Sequence, residues 1–148
     1  MSLISPPDQE RLRTEFAQMT RPVRLVFFTQ SLECDTCLPT RQILDELPAL
    51  SDKITIEEVN FLIEPGRAAS YGIDRVPAIA VTYEDAPDAT YKDARIRFVG
   101  LPAGYEFISV VQAVLLAGGR APQLADASRA KLAKVDRPLT LQVFTTPT

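Results

Sequence analysis

A strand, a loop and a helix follow one another in residues Val23–Leu47, whose sequence is VRLVFFTQSLECDTCLPTRQILDEL. The run Val23–Phe28 is dense in β-branched and aromatic residues, which is typical of a parallel strand buried on both faces. From Cys34 to Leu47 the apolar residues recur on one side, which predicts a helix that begins at the cysteines. The sequence therefore places a Cys-X-X-Cys pair, Cys34 and Cys37, at a strand-to-helix turn.

The rest of the chain supplies elements that pack around this strand and helix. In chain order they are a helix at residues 8–19, a strand at 54–59, a short helix at 65–71, strands at 78–83 and 96–99, and a helix that ends at 118–119. The last two strands are joined by a polar stretch too short for a crossover helix, so we expect them to pair antiparallel. With right-handed crossovers, the order predicts an α/β thioredoxin fold. This fold is a four-stranded mixed β-sheet flanked by helices, here with an extra N-terminal helix.

The predicted domain covers residues 1–120, and two segments follow it. Residues 121–137 are rich in Ala, Arg and Lys and predict a connector helix. Leu139–Phe144 has the pattern of a strand, and the composition of Leu139–Thr145 echoes that of Val23–Thr29. Residues 138–148 are therefore interpreted as the first strand of a missing or truncated second unit. A plain C-terminal edge strand is the alternative. An unpaired strand also predicts a homodimer, in which it pairs with the edge of another chain.

Composition excludes several classes of function. The chain has 148 residues and a net charge of -3, and its basic residues are scattered, which argues against a nucleic acid partner. It has no His, which excludes Ser-His-Asp and Cys-His catalysis, and its two Cys are too few for a structural zinc site. No apolar run approaches the roughly 18 residues of a membrane span. We therefore expect a cytoplasmic protein without a membrane partner, a metal or an organic cofactor.

The two cysteines are interpreted as a redox pair, because the cytosol keeps structural thiols reduced. A helix N-terminus stabilises a thiolate, so Cys34 is the predicted nucleophile and Cys37, one turn further and more buried, the resolving thiol. Glu33 and Asp35 flank Cys34 with negative charge, which opposes thiolate formation and favours a reductant or isomerase over a strong oxidant. An inert pair and a metal site shared between subunits are alternatives that this motif alone leaves open.

The dipeptide Val76–Pro77 stands directly before the third predicted strand, where a proline in a bend is a candidate cis peptide. In a thioredoxin-like fold this proline packs beside the dithiol. The free backbone N–H and C=O of Val76 would then bind an extended substrate segment as an added strand. The alternative is a trans proline that merely starts the strand.

Glu58 is a candidate proton acceptor. It shares a face of the second strand with Ile54 and Ile56, so we expect its carboxylate on a sheet face that helices cover. A buried acid is costly unless it is used or paired, and beneath the helix Glu58 would take the proton from Cys37 during the reaction. The alternative is a solvated carboxylate, or one paired with Arg75 or Arg97.

Four stretches together resemble the glutaredoxin-like protein disulfide oxidoreductases of archaea and bacteria. They are Cys34–Cys37, Tyr71–Ala78, Arg97–Phe107 and Gln142–Thr148. The resemblance implies two tandem thioredoxin-fold units, each with a Cys-X-X-Cys pair, that reduce, oxidise and isomerise protein disulfides. This chain matches the N-terminal unit, the connector and the first strand of the second unit. The places that hold a buried Asp and a Lys in thioredoxins hold Phe28 and Glu58 here.

The residues and the resemblance together predict a protein disulfide oxidoreductase. Cys34 would attack a protein or small-molecule disulfide, Cys37 would release the product, and an external thiol reductant or thioredoxin-reductase-like donor would restore the dithiol. One alternative is a non-catalytic half-domain that serves as a docking or electron-relay module for a second redox unit. Another is an iron-sulfur cluster bridged between two subunits.

Overall fold

The computed structural model describes residues 3–146. Within that range the elements are α1 (Pro6–Phe16), β1 (Val23–Thr29), α2 (Cys37–Asp45), β2 (Ile54–Asn60), α3 (Pro65–Ser70), β3 (Ala78–Tyr83), β4 (Lys92–Val99), α4 (Tyr105–Ala117) and α5 (Asp126–Leu132). None of the helices in residues 3–146 is long and apolar enough to cross a bilayer.

The four strands form one mixed sheet in the order β2-β1-β3-β4. β1 runs parallel to β2, and β3 runs antiparallel to both β1 and β4. The central strands β1 and β3 are almost entirely buried, as their near-continuous apolar sequences predict. The predicted four-stranded thioredoxin fold and its antiparallel final pair are confirmed.

Two apolar layers cover the faces of the sheet. Alternation along β1 sends Leu25 and Phe27 to the larger layer, which α1, α2 and α4 complete, and Val26 and Phe28 to the smaller layer under α3. The helices contribute apolar stripes to these layers, such as Leu12 and Phe16 of α1, which are 5% and 0% exposed. Packing on both faces therefore fixes the sheet, and with it the loops at its two ends.

The strand register brings three loops together. Thr29 at the end of β1 lies opposite Asn60 at the end of β2, and Phe28 lies opposite Ala78 at the start of β3. The loop before α2, the loop before α3 and the dipeptide Val76–Pro77 consequently lie at one end of the sheet. We call this the cysteine end; the opposite end is where β1 begins and β3 stops, at Val23 and Tyr83.

Two element boundaries differ from the sequence expectation. α1 ends at Phe16, although Met19 beyond it is still buried at 3% exposure. β4 begins at Lys92 rather than Ile96, because an edge strand tolerates the charged residues that conceal its alternation. Its start is also irregular: the pairing register shifts between Val81 and Thr82, as at a β-bulge.

The C-terminal segment does not pack on the domain. α5 occupies part of the predicted connector and has no buried residue. Residues 139–144 form no strand, and their apolar side chains are 64% to 90% exposed, so the predicted strand is wrong for this chain on its own. The physical reason is that a strand needs a hydrogen-bonded partner to persist. A second unit and a homodimer through this segment stay predictions, and residues 147 and 148 lie outside the described range.

Candidate functional site

Cys34 and Cys37 are joined by a disulfide bond, with their Cα atoms 5.4 Å apart. Cys37 is the first residue of α2 and only 4% exposed, whereas Cys34 is half-buried. One sulfur is thus within reach of another molecule and the other is shielded behind it. Among residues 3–146, no cluster of three or more His, Cys, Asp or Glu side chains is placed to hold a metal.

α2 begins later than its sequence predicts. Its first residue is Cys37 and its N-cap is Thr36, so the expectation that the helix starts at Cys34 is wrong. The reason is a tight turn in which the Cys37 N–H donates to the Cys34 carbonyl oxygen at 3.3 Å. Because the disulfide ties Cys34 to the first helical residue, its sulfur still lies at the amino-terminal end of α2, where backbone N–H groups lack intrahelical acceptors.

The loop before the cysteines turns sharply at Glu33, whose φ of 55° is in the left-handed region. The Gln30 amide nitrogen supports this turn by donating to the Leu32 carbonyl oxygen at 2.8 Å. Such a backbone conformation costs a non-glycine residue about 1–2 kcal/mol. Despite this conformational cost, the turn places Cys34 at the surface.

Exposed aliphatic side chains lie in the loops at the cysteine end of the sheet. Four of them, which we call the aliphatic rim, come from the loops at the cysteine end and the first turn of α2, and are 63% to 77% exposed: Leu32, Leu38, Leu62 and Ile63. Several large apolar side chains left in water at one end of a domain are typical of a surface that contacts another protein. The rim therefore favours a macromolecular partner for the disulfide.

The Val76–Pro77 peptide bond is cis, as predicted. Pro77 is buried, and its carbonyl oxygen accepts a hydrogen bond from the Gly100 N–H at 2.9 Å. Within residues 3–146, neither the N–H nor the C=O of Val76 makes a hydrogen bond. The structure thus leaves one peptide group at the cysteine end free to pair with an extended segment of another molecule.

Glu58 is not buried, so the expected covered carboxylate is wrong. Its side chain is 50% exposed and forms an ion pair with the Arg41 guanidinium of α2. β2 is an edge strand, and at Glu58 the long Arg41 side chain of α2 reaches its face without burying the carboxylate. The partners suggested by the sequence, Arg75 and Arg97, bind Asp74 and Asp93 instead.

Arg41 is a residue of the site that the sequence analysis missed. It follows Cys37 by four positions and therefore lies one helical turn below it on the same side of α2. A hydrogen bond to the Asp45 carboxylate, 2.7 Å away, raises the pKa of the Arg41 guanidinium above its ordinary value. The i, i+4 spacing of Cys37, Arg41 and Asp45 was the signal that would have revealed it.

Sequence comparison finds relatives that match part of the chain. Ninety-two residues are 32% identical to an NADH dehydrogenase of Bacillus subtilis and cover 62% of this chain but 14% of that protein. Ninety residues are 29% identical to a protein named Probable Thioredoxin from Methanothermobacter marburgensis and cover 60% of this chain and 92% of that protein. No family model matches the chain.

Solved structures match over most of the chain. The NTD_N/C domain of the alkylhydroperoxide reductase AhpF from Enterococcus faecalis superposes with a TM-score of 0.76 at 26% identity, over 87% of this chain and 59% of that one. A protein disulfide oxidoreductase from Aeropyrum pernix gives a TM-score of 0.70 at 20% identity, over 88% of this chain and 54% of that one. The chain is therefore a thioredoxin-fold protein with a Cys-X-X-Cys disulfide, similar to thiol–disulfide oxidoreductases.

Proposed function

We propose that this chain is a protein disulfide oxidoreductase in which Cys34 is the nucleophile and Cys37 the resolving thiol. The observation that carries the proposal is the disulfide at the start of α2, with Cys34 accessible and Cys37 buried behind it. The free Val76 peptide group and the aliphatic rim support a protein substrate over a small molecule.

The reaction is a pair of thiol–disulfide exchanges. The Cys34 thiolate attacks one sulfur of the substrate disulfide, forms a mixed disulfide and expels the other substrate sulfur as a thiolate. Cys37 then loses its proton and attacks the Cys34 sulfur, which releases the second substrate thiolate. Two electrons have passed to the substrate, and the protein is left with the Cys34–Cys37 bond. An external dithiol or reductase then reduces the Cys34–Cys37 bond. The redox poise of the compartment sets the direction of the exchange, and in the cytoplasm we expect the chain to reduce its substrate.

Insulin reduction with dithiothreitol as electron donor tests the proposal. We expect Cys34→Ser to lose the activity entirely, because the remaining thiol, Cys37, is only 4% exposed and cannot reach a protein disulfide. Cys37→Ser should retain the attack and accumulate a stable mixed disulfide with insulin, visible by nonreducing electrophoresis. A Cys34→Ser protein as active as the unsubstituted one would contradict the assignment.

A second candidate function is an electron relay inside a larger redox protein. The likeness to the NTD_N/C domain of AhpF and to a small part of an NADH dehydrogenase favours it, because the chain matches 59% of that domain and only 14% of that dehydrogenase. A relay exchanges electrons rapidly with a partner dithiol but reduces other protein disulfides poorly.

Single-turnover kinetics separate the two functions. The reduced chain is mixed with oxidised thioredoxin, which stands for a partner dithiol protein, and separately with insulin. An oxidoreductase should reduce both at similar rates. Fast exchange with thioredoxin and slow reduction of insulin would favour the relay.

A further inference from the structure

Arg97 joins β4 to the end of α3. It lies in the middle of β4 opposite Ala80, and its Nε donates to the Tyr71 carbonyl oxygen at 3.0 Å. Its two terminal nitrogens donate to the two carboxylate oxygens of Asp93 at 2.8 and 2.6 Å. The guanidinium carbon also lies 5.3 Å from the centre of the Tyr71 ring. The side chain is only 22% exposed, so these contacts are partly shielded from water.

Through its ring, Tyr71 connects Arg97 to the residues at the cysteine end. Its ring centre lies 5.6 Å from that of Phe28, next to Ala78 and Ala80 in the smaller apolar layer. The two alanines are small, which leaves room over β3 for a large ring. Phe28 is paired with Ala78, the residue that follows Pro77. Arg97 thus holds Tyr71, whose ring packs against the same apolar layer as the side chain of Val76.

Within residues 72–77, Ile73 is buried and Val76 packs against the smaller apolar layer, but Asp74 and Arg75 between them have few restraints of their own. Gly72 and Ile73 are hydrogen-bonded to the end of α3, and Pro77 is bonded to Gly100. Between these anchors, Asp74 and Arg75 are exposed and pair with each other. A peptide group that must receive a substrate strand binds more tightly when its position is fixed beforehand. The Arg97–Tyr71 contact supplies such a restraint from outside the segment.

We propose that Arg97 is a positioning residue for substrate docking: it fixes Tyr71, and through Tyr71 the segment 72–77 that presents the free Val76 peptide group. This inference rests on the proposed function, because it assumes that Val76 receives the substrate. Arg97 does not contact either cysteine in the hydrogen-bond and ion-pair network described above. It therefore acts on docking and not on the exchange of sulfur atoms.

The test compares Arg97→Met with a matched control, Arg21→Met. Arg21 makes contacts of the same kinds at the opposite end of the sheet, an ion pair with Asp85 at 3.1 Å and a stack 4.5 Å from the Tyr83 ring centre. Both substitutions remove a cation that lies over a tyrosine. A third variant, Arg97→Lys, keeps the charge but not the planar arrangement of donors. If Arg97→Met fails to fold, the same measurements on Arg97→Lys still test the inference.

Three measurements are made on each protein: steady-state reduction of insulin, reduction of the small substrate hydroxyethyl disulfide, and hydrogen–deuterium exchange. For Arg97→Met we expect KM for insulin to rise about tenfold, equivalent to ~1.4 kcal/mol, with kcat and the hydroxyethyl disulfide rate unchanged. Exchange should rise at residues 72–76. Arg97→Lys should give values between those of Arg97→Met and the unsubstituted protein. Arg21→Met should match the unsubstituted protein in all three measurements.

The failures of this inference and of the proposed function are distinguishable. Unchanged exchange at residues 72–76 in Arg97→Met overturns the inference, as does an equal loss of activity on insulin and on hydroxyethyl disulfide. An equal rise of KM in Arg21→Met also overturns it, because the effect would then be one of general stability. An unsubstituted protein that reduces neither disulfide overturns the proposed function instead.

Discussion

The two ends of the sheet carry opposite kinds of surface. At the cysteine end, the Val76 peptide group lacks a hydrogen bond within residues 3–146, and the aliphatic rim is in water. At the opposite end, backbone groups are paired: the N–H groups of Thr20 and Arg21 both donate to the Gly118 carbonyl oxygen, at 2.8 and 3.1 Å. The loops at the cysteine end thus leave a backbone peptide group and apolar side chains available to a partner, whereas at the opposite end the loop before β1 is hydrogen-bonded to the end of α4.

Ion pairs lie at both ends of the sheet, since Asp74 binds Arg75 at the cysteine end, but the acidic residues beside Cys34 differ from Asp85. At the opposite end Asp85 binds both Arg21 and Lys92, and the Lys92 contact lowers the pKa of the Asp85 carboxyl. Near Cys34, by contrast, Glu33 and Asp35 are exposed. Unsatisfied groups are what a partner can bind, and satisfied ones are what holds a fold together. Substitutions at the two ends should therefore separate stability from activity.

Gly119→Ala should have the largest effect on stability, at the opposite end. Gly119 has a φ of 107°, and an added methyl group would overlap the Thr20 hydroxyl. Positive φ costs a residue with a Cβ about 1–3 kcal/mol, and forced overpacking adds about 1–3 kcal/mol more. We expect denaturant unfolding to show the sum of both losses, while insulin reduction by the remaining folded protein is unchanged.

Gly100→Ala is the matched control for that substitution. Its φ of 102° is nearly the same, but no atom lies within 4 Å of the position an added methyl group would take. Gly100→Ala should therefore show the conformational cost alone. If the two variants lose equal stability, close packing against Thr20 does not hold the opposite end together.

Asp93→Asn tests the ion pair that lies between the two ends. A hydrogen bond from Arg97 lowers the pKa of the Asp93 carboxyl below its ordinary value. The stability this supplies is complete above the unfolded pKa of about 3.9 and is lost as the pH falls through the lower folded pKa. Because the carboxylate is 36% exposed, we expect Asp93→Asn to cost less than about 1 kcal/mol at pH 7.

Urea unfolding of both proteins at neutral and acidic pH checks this expectation. The difference between them should be largest at neutral pH and shrink as the pH drops below the folded pKa of Asp93. The same measurement on Asp74→Asn is a control, since Asp74 makes a fully exposed pair with its neighbour Arg75. A difference that grows on acidification would contradict the sign of the linkage.

The sequence predicted what local patterns determine and missed what depends on contacts between distant elements. β1, the cysteine turn and the cis bond before Pro77 are encoded by neighbouring residues, and their expected places are confirmed. Alternation placed Glu58 on the right strand face, since Ile54 and Ile56 do meet the larger apolar layer. It did not reveal that this position on an edge strand stays half exposed and pairs with Arg41.

Two further features were not predicted correctly, because they too depend on contacts between distant parts of the chain. The contact between Arg97 and Tyr71 joins residues 26 positions apart, which no motif records. Leu139–Phe144 has the alternation of a strand but no neighbouring strand to pair with among the described residues, so the pattern alone was insufficient. Periodicity predicts which face a side chain takes, whereas burial and pairing depend on what the rest of the fold brings to that face.

Glu58→Gln should have the smallest effect and tests whether this carboxylate belongs with the reactive or with the stabilising groups. Although it lies near the cysteine end, its side chain is half exposed and paired with Arg41, as charges at the opposite end are. Exposed ion pairs contribute only ~0.2–1 kcal/mol, and water competes with such a carboxylate for the Cys37 proton. We expect rapid-quench kinetics to show that the mixed disulfide decays no more than about twofold more slowly, a change of ~0.4 kcal/mol.

Glu57→Gln, which loses an ion pair with Arg67 on the other face of β2, is the control. A tenfold slower decay in Glu58→Gln alone, with formation unchanged, would instead make Glu58 the proton acceptor for Cys37.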